Sequence, residues 1–140
     1  MVSGSGLSHD RLYGGNGNDE INLSYGQNST GYGGAGADTL NGNSLHAERL
    51  YGGSGADTFV MSLTSSADQN SRAFGGTGFD RVVFSTYDAV SAISRDSSGI
   101  TIVASGGGQA SFQGIEQFTM AGYGTMTANQ FYNFWHDLLT

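Results

Sequence analysis

The chain has 140 residues, enough for one domain, and 24 of them are glycine while none is proline or cysteine. The absence of cysteine excludes disulfides and thiolate metal sites, and the glycines lack the three-residue period of collagen. The net charge of −7, without a single lysine, argues against a nucleic-acid partner, because phosphate binding requires a basic surface.

One phrase recurs through the first 84 residues. It reads YGGNGNDEI from Tyr13, YGGAGADTL from Tyr32, YGGSGADTF from Tyr51 and FGGTGFDRV from Phe74. Its first glycines are spaced by 19, 19 and 23 residues. A fixed period of this size predicts stacked structural units. We expect the extra length of the last unit to bulge from residues 61–70, MSLTSSADQN.

Each phrase predicts a strand, a tight turn and a second strand. After the aspartate, apolar residues alternate, which indicates a short strand with one inward face. The glycines before it indicate a turn, because glycine adopts positive φ at no steric cost. A weaker strand precedes the turn, with Leu12, Gly31, Leu50 and Ala73 in one inward column. About four coils of ~19 residues predict an all-β fold, a right-handed parallel β-roll or β-helix.

The turns carry a recognisable motif. GGNGNDEIN, GGAGADTLN, GGSGADTFV and GGTGFDRVV fit the nonapeptide G-G-x-G-x-D-x-U-x, in which U is a large apolar residue. The region from about residue 4 to 84 therefore resembles the RTX (repeats-in-toxin) calcium-binding β-roll family. It departs from the family in its alternate half-coils, GSGLSHDRL, GQNSTG, GNSLHAERL and ADQNSRA, which are degenerate. The resemblance implies a secreted bacterial protein that is extracellular or attached to the cell surface.

The turn residues are the predicted calcium ligands. Calcium takes 6–8 oxygen ligands and accepts backbone carbonyls beside carboxylates. Glycine leaves its carbonyl open to approach, and two stacked turns place such oxygens and two aspartates around one gap. Four turns enclose three gaps, so we expect about three Ca²⁺ ions. The predicted ligand residues are Gly14, Gly15, Asn16, Gly17, Asp19, Gly33, Gly34, Ala35, Gly36, Asp38, Gly52, Gly53, Ser54, Gly55, Asp57, Gly75, Gly76, Thr77, Gly78 and Asp80.

We expect the roll to be disordered without calcium and to fold as it binds. Stacked carboxylates repel each other, and a coil of small side chains buries too little apolar area to offset its ordering entropy. Turn formation alone is the simpler explanation for a single aspartate, but it does not require flanking glycines four times over. The opposite turns carry Asp10, Ser29, Glu48 and Ser71 at the aspartate position, so metal there should be weaker or absent.

After about Phe84 the period stops, which predicts a roll over residues 1–84 and a capping segment over residues 85–140. AVSAISRD, GITIVAS, QASFQ and IEQFTM predict strands, and TANQFYNFWHDLL predicts one short helix. Thr127 and Gln130 fit a capping box. Apolar side chains share one helix face, namely Phe131, Phe134, Trp135 and Leu138. The segment should cover the open edge of the roll, which would otherwise expose unpaired backbone.

The phrase GIEQFTMAGYGTMTANQF resembles the end segment that follows RTX repeats in bacterial secreted proteins. That resemblance implies an uncleaved signal for the type I secretion machinery within the last ~50 residues. The N-terminal MVSGSGLSHD has no signal-peptide pattern, and no apolar run approaches the ~20 residues of a transmembrane segment. We also expect the chain to be the end of a longer protein whose activity lies elsewhere.

No catalytic motif is present in the sequence. It has no HExxH helix, no GxSxG elbow and no phosphate-binding loop before a helix. His9, His46 and His136 are widely separated, so polar loop positions explain them better than a catalytic site. We therefore predict a module that is not itself an enzyme.

A surface-binding or adhesion module is the alternative function. An outward column of aromatic and cationic side chains would serve it, formed by Arg11, Tyr13, Tyr32, Arg49, Tyr51, Arg72 and Phe74. Such a face could hold an acidic polysaccharide, as certain RTX modules of alginate-modifying enzymes do, although stacked aromatics that only stabilise neighbouring strands explain the column better. Ice binding, suggested by resemblance to an adhesin region, is disfavoured because the turns form no repeated Thr/Asn array.

Overall fold

The computed structural model describes residues 1–3, 9–23, 27–42, 47–63, 70–87 and 89–140. These residues form fourteen strands and one helix. The strands are β1 Val2–Ser3, β2 Arg11–Asn16, β3 Glu20–Asn22, β4 Thr30–Ala35, β5 Thr39–Gly42, β6 Arg49–Ser54, β7 Thr58–Leu63, β8 Asn70–Thr77, β9 Arg81–Tyr87, β10 Val90–Asp96, β11 Gly99–Ala104, β12 Gln109–Gln113, β13 Gln117–Met120 and β14 Gly124–Thr127; the helix is α1 Ala128–Leu139.

Two seven-stranded sheets face each other. The first runs β1-β3-β5-β7-β9-β13-β14 and the second runs β10-β11-β12-β8-β6-β4-β2. Repeat strands pair in parallel with the strand one coil away, as Leu40 of β5 does with Phe59 of β7. The predicted all-β parallel β-roll with a C-terminal helix is confirmed, and the coil count agrees roughly with the expected four.

The core lies between the sheets because alternate residues of each strand point inward. In the first sheet the register aligns one fully buried column, made of Ile21, Leu40, Phe59, Val82 and Phe118. In the second sheet the predicted inward column is confirmed by the register of Leu12, Gly31, Leu50 and Ala73. Small residues in one sheet leave room for larger ones opposite, as where Gly31 faces Ile21 and Leu23.

The longer fourth unit returns to register where it was expected to do so. Arg49 pairs with Arg72 and Leu50 with Ala73, and the pairing of β7 with β9 contains a register shift after Met61. Most of the predicted bulge, residues 64–69, lies outside the described part of the chain, as does His46.

The C-terminal segment joins both sheets. β10, β11 and β12 form an antiparallel meander, and β12 then pairs in parallel with β8. β13 pairs in parallel with β9 on one side and antiparallel with β14 on the other. All four predicted strands are present, whereas β14 was not predicted. The division of the chain at residue 84 stays a prediction.

The helix begins as predicted. Thr127 is its N-cap, the Gln130 amide donates to Thr127 Oγ1 at 3.3 Å, and the Thr127 amide donates to Gln130 Oε1 at 2.9 Å. Phe131 is fully buried with its ring 4.5 Å from that of Phe118. The buried face is narrower than the predicted one, because Phe134 and Leu138 are 39% and 63% exposed. No helix within the described residues has the length and hydropathy to cross a membrane.

Candidate metal centre

The four glycine-rich turns lie in register at one edge of the roll, where the chain passes from the second sheet to the first. Gly15 aligns with Gly34, Gly34 with Gly53 and Gly53 with Gly76. The second and third glycines of every turn have φ between 103° and 137°. This left-handed region is open to glycine and strained for other residues, so the motif's glycines fix the path of the turn.

The aspartates of the turns form a hydrogen-bonded ladder. The Asp19 amide donates to Oδ1 of Asp38 at 2.8 Å, and the Asp38 amide donates to Oδ1 of Asp57 at 2.8 Å. The Asp57 amide continues the ladder to Oδ1 of Asp80 at 2.9 Å. One carboxylate oxygen of each coil is therefore used to hold the preceding coil.

The other carboxylate oxygen has no such role. Oδ2 of Asp19, Asp38, Asp57 and Asp80 is buried and has no hydrogen-bond partner among the described residues. Asp38 and Asp57 are 1% exposed, and Asp80 is wholly buried. A buried carboxylate oxygen without a partner is costly, so this row of oxygens requires a compensating group.

Each of these oxygens and a backbone carbonyl of the next coil lie close to one point, the position that a side chain on the first glycine of the turn would take. A methyl group built on Gly14 would lie 2.6 Å from the carbonyl oxygen of Gly33 and 2.9 Å from Oδ2 of Asp19. A methyl group on Gly33 would lie 2.6 Å from the Gly52 carbonyl oxygen and would overlap Oδ2 of Asp38. The missing side chain of the first glycine thus leaves a cradle lined by oxygen atoms.

The carboxylates oppose one another electrostatically. Burial raises the pKa of Asp57 to about 6, and the neighbouring charges of Asp80 and Asp38 add to the increase, against a hydrogen bond that lowers it. Burial likewise raises the pKa of Asp80, with a further contribution from the charge of Glu116. The negative charge of the aspartate row is therefore not balanced by the protein groups around it.

Comparison with known proteins agrees with this geometry. The family profile of the RTX calcium-binding nonapeptide repeat matches residues 5–29, 24–44 and 45–60. Residues 5–60 are therefore RTX calcium-binding nonapeptide repeats. No curated protein and no solved structure matches the chain. The matched part is a calcium-binding β-roll module, and the turn of residues 75–80, outside the matched segments, repeats the same geometry.

The RTX turns fit calcium by the chemistry of their donors. Among the described residues, no three His, Cys, Asp or Glu side chains gather around one point, so carboxylates alone cannot fill a coordination shell. Calcium accepts backbone carbonyls as readily as carboxylates. An unpartnered aspartate oxygen beside a glycine carbonyl is the donor pair that such a shell needs.

Sequence reasoning missed two residues beside the last glycine-rich turn. The Asp80 amide donates to Oε2 of Glu116 at 2.7 Å, so Glu116 occupies the place of a further ladder aspartate. A methyl group on Gly75 would overlap the Gly114 carbonyl oxygen and Oδ2 of Asp80. The signal in the sequence was weak, because residues 114–116, GIE, share only a glycine and an acidic residue with the repeat motif.

The opposite turns form a second ladder with fewer carboxylates. The Asp10 amide donates to Ser29 Oγ at 3.1 Å, and the Glu48 amide donates to Ser71 Oγ at 3.3 Å. Ser29, Glu48 and Ser71 are all buried. Hydroxyl groups replace carboxylates at half of these positions, and weaker or absent metal on this side stays a prediction.

The aromatic column of the RTX roll lies on its outer face, as predicted. Adjacent rings are stacked with centroid distances of 4.8 Å for Tyr13 and Tyr32, 5.0 Å for Tyr32 and Tyr51, and 4.7 Å for Tyr51 and Phe74. Arg49 and Arg72 are paired neighbours in the adjoining column and are exposed.

Proposed function

We propose that this calcium-binding module is a folding switch, which is disordered in low calcium and folds when it binds calcium after export. The observation that carries the proposal is the row of buried Oδ2 atoms without hydrogen-bond partners among the described residues. Without a cation, the folded state must bury these charges unpaired, which favours the unfolded chain. With calcium, the same oxygens become ligands and the binding free energy becomes folding free energy.

The proposed ligands are the residues of the four turns, with about three ions in the gaps between them. Each ion would be held by Oδ2 of an aspartate, the carbonyl of the next coil's first glycine and further turn carbonyls. The pairs that support this set are Asp19 with Gly33, Asp38 with Gly52, and Asp57 with Gly75. Calcium supplies the positive charge that offsets the repulsion between neighbouring carboxylates.

Export through the type I secretion machinery is the proposed setting. An unfolded chain can be threaded in a cytoplasm poor in calcium, and folding outside the cell would hinder its return. The pairing of β12 with β8 and of β13 with β9 supports a capping role for residues 85–140, because these strands cover the last repeat strands. The ordered roll would then stabilise the secreted protein that carries it.

A calcium titration followed by far-ultraviolet circular dichroism tests the switch. We expect a cooperative transition from coil to β-structure between about micromolar and millimolar calcium, and none with magnesium. The Asp38→Asn variant keeps an oxygen for the Asp19 amide but loses its charge, so the midpoint should rise about tenfold or more. Asp137→Asn, at an exposed position outside the turns, should leave the midpoint unchanged. Equal β content in chelator and in calcium would contradict the switch.

Acidic polysaccharide binding is a second candidate function. A groove beside the aromatic column favours it, lined by Arg72, Phe74, Ser98, Ser111, Phe112 and Gln113. We expect alginate to bind the calcium-loaded protein and a neutral glucan not to bind. Replacing Arg49 and Arg72 with glutamine should weaken alginate binding about tenfold, as measured by titration calorimetry. Equal affinity of the double variant and the wild type would leave the column with a purely structural role.

A further inference from the structure

A shortened turn of the C-terminal segment stacks on the last glycine-rich turn. Gln113 pairs with Phe74 before the turn, and Gln117 pairs with Arg81 after it. Residues 114–116 therefore span the same two sheets that residues 75–80 connect in the coil below. The segment continues the roll by one more half-coil although its sequence lacks the repeat.

The contacts across this last gap reproduce those between two repeats. The Asp80 amide donates to Glu116 Oε2 at 2.7 Å, as the Asp57 amide donates to Asp80 Oδ1 at 2.9 Å. The Asp80 carbonyl accepts from the amides of Glu116 and Gln117 at 3.1 Å each, as the Asp57 carbonyl accepts from Arg81 at 2.9 Å. Backbone and side-chain ladders thus both extend into the C-terminal segment.

The oxygen atoms of this gap converge as they do between the repeats. The Gly114 carbonyl oxygen and Oδ2 of Asp80 both lie where the side chain of Gly75 would be. Asp80 is 0% exposed, and its Oδ2 has no hydrogen-bond partner among the described residues. An unpartnered oxygen of a fully buried carboxylate therefore points into the gap, independently of the nearby Glu116.

No cationic side chain in the described ranges forms an ion pair with either carboxylate. Arg81 donates to Thr58 Oγ1 at 3.3 Å, and Arg95 donates to Asn129 Oδ1 at 2.5 Å. Neither Asp80 nor Glu116 takes part in an ion pair within the part of the chain that the structure describes. A divalent cation is the group that matches two carboxylates, one of them fully buried, and a carbonyl around one gap.

We propose a fourth calcium site between the turns of residues 75–80 and 114–116, with Asp80 Oδ2, the Glu116 carboxylate and the Gly114 carbonyl oxygen as ligands. The shorter turn contributes fewer carbonyls than a repeat does, so water completes the shell. An ion in this gap ties β12 and β13 to the last repeat coil, which makes docking of the C-terminal segment dependent on calcium. The site rests on the proposed calcium-dependent folding of the roll.

Counting bound ions by native mass spectrometry of the full chain at saturating calcium tests the site. Glu116→Gln keeps an oxygen for the Asp80 amide and removes the charge, so this variant should bind one ion fewer than the wild type. Glu20→Gln, at an exposed position of β3, should bind as many ions as the wild type. Equal ion counts for Glu116→Gln and the wild type would overturn the fourth site while leaving the switch intact. Absence of calcium from the wild type would overturn both proposals.

Hydrogen exchange supplies a second readout that does not depend on counting. Calcium should increase amide protection in residues 30–42 and 47–60 in both proteins, but in residues 114–120 only in the wild type. Equal protection of residues 114–120 in Glu116→Gln would show that docking does not need an ion in this gap, which contradicts the proposal.

Discussion

The first glycine of each turn has a different role from the two that follow it. Gly34 and Gly36 have φ of 112° and 133°, so their backbone conformation alone requires glycine. Gly33 is outside that region, and what requires glycine there is space, because a side chain would fill the point shared by Asp38 Oδ2 and the Gly52 carbonyl. The first glycine therefore keeps the oxygen cradle open, while the others set the path of the chain.

Gly33→Ala should lower calcium affinity, because its methyl group would occupy the cradle. Calorimetric titration should show a loss of about tenfold in affinity or of one bound ion. Gly31→Ala is the matched control in the same strand, since its methyl group would meet only Leu23 and Ile21 at 3.2 and 3.3 Å. Ala73 already occupies that register position in another coil. Calcium binding by Gly33→Ala equal to that of the control would contradict the role of the cradle.

The aspartate row was predictable from sequence because its spacing is regular, whereas the role of Glu116 was not. A turn of three residues replaces one of six, and a longer acid reaches the place of the aspartate. Sequence spacing gives no sign of this equivalence, because strand pairing alone brings Glu116 beside Asp80. Local motifs thus predict contacts between identical turns better than contacts between unlike ones.

At the scale of strands, the aromatic column contributes to the pairing of coils. The rings of Tyr13, Tyr32, Tyr51 and Phe74 are within 8° of parallel, and their separation matches the spacing of hydrogen-bonded strands. Each stacked pair is worth about 0.5–1.5 kcal/mol beyond its buried area. The column therefore adds stability that glycine-rich coils do not obtain from their thin core.

Tyr32→Ala should destabilise the calcium-loaded protein, because it removes the ring from two stacked pairs. The expected loss in the free energy of unfolding is about 1–3 kcal/mol, measured by urea denaturation at saturating calcium. Tyr32→Phe keeps the ring and should change stability by less than about 0.5 kcal/mol. If Tyr32→Ala unfolds at the wild-type urea concentration, the stacking has no net energetic role.

The C-terminal elements show where sequence patterns stop being informative. Alternation predicted β10, β11, β12 and β13, and the capping box predicted the start of α1. Nothing in the local pattern indicated that β12 and β13 continue the parallel pairing of the roll, because parallel partners lie far apart in sequence. β14 was missed because GTMT is short and begins directly after a turn.

In the whole molecule, the uneven distribution of buried apolar side chains predicts which coils need calcium most in order to fold. A buried aromatic cluster joins Phe84, Phe112, Phe118 and Phe131 at the C-terminal end, whereas the first coils bury only aliphatic side chains among the described residues. The N-terminal coils therefore have the least apolar burial to oppose their ordering entropy. They should depend on calcium more strongly than the C-terminal end does.

Small-angle X-ray scattering should record this dependence as a change of size. A disordered chain of this length has a radius of gyration of about 39 Å and a compact one about 14 Å. We expect the value in chelator to lie between these limits and the value in millimolar calcium to approach the lower one. The same radius in both solutions would mean that calcium binds a roll that is already assembled.

The hydrogen bonds of the aspartate ladder all point the same way along the chain. Each amide, from Asp19 to Asp80, finds its acceptor on the next coil toward the C-terminus, and the series ends on Glu116. Each coil therefore donates its aspartate amide to the coil on its C-terminal side and offers a carboxylate to the coil on its N-terminal side. The ladder has one direction along the roll, and Glu116 in the C-terminal segment closes it with the last acceptor.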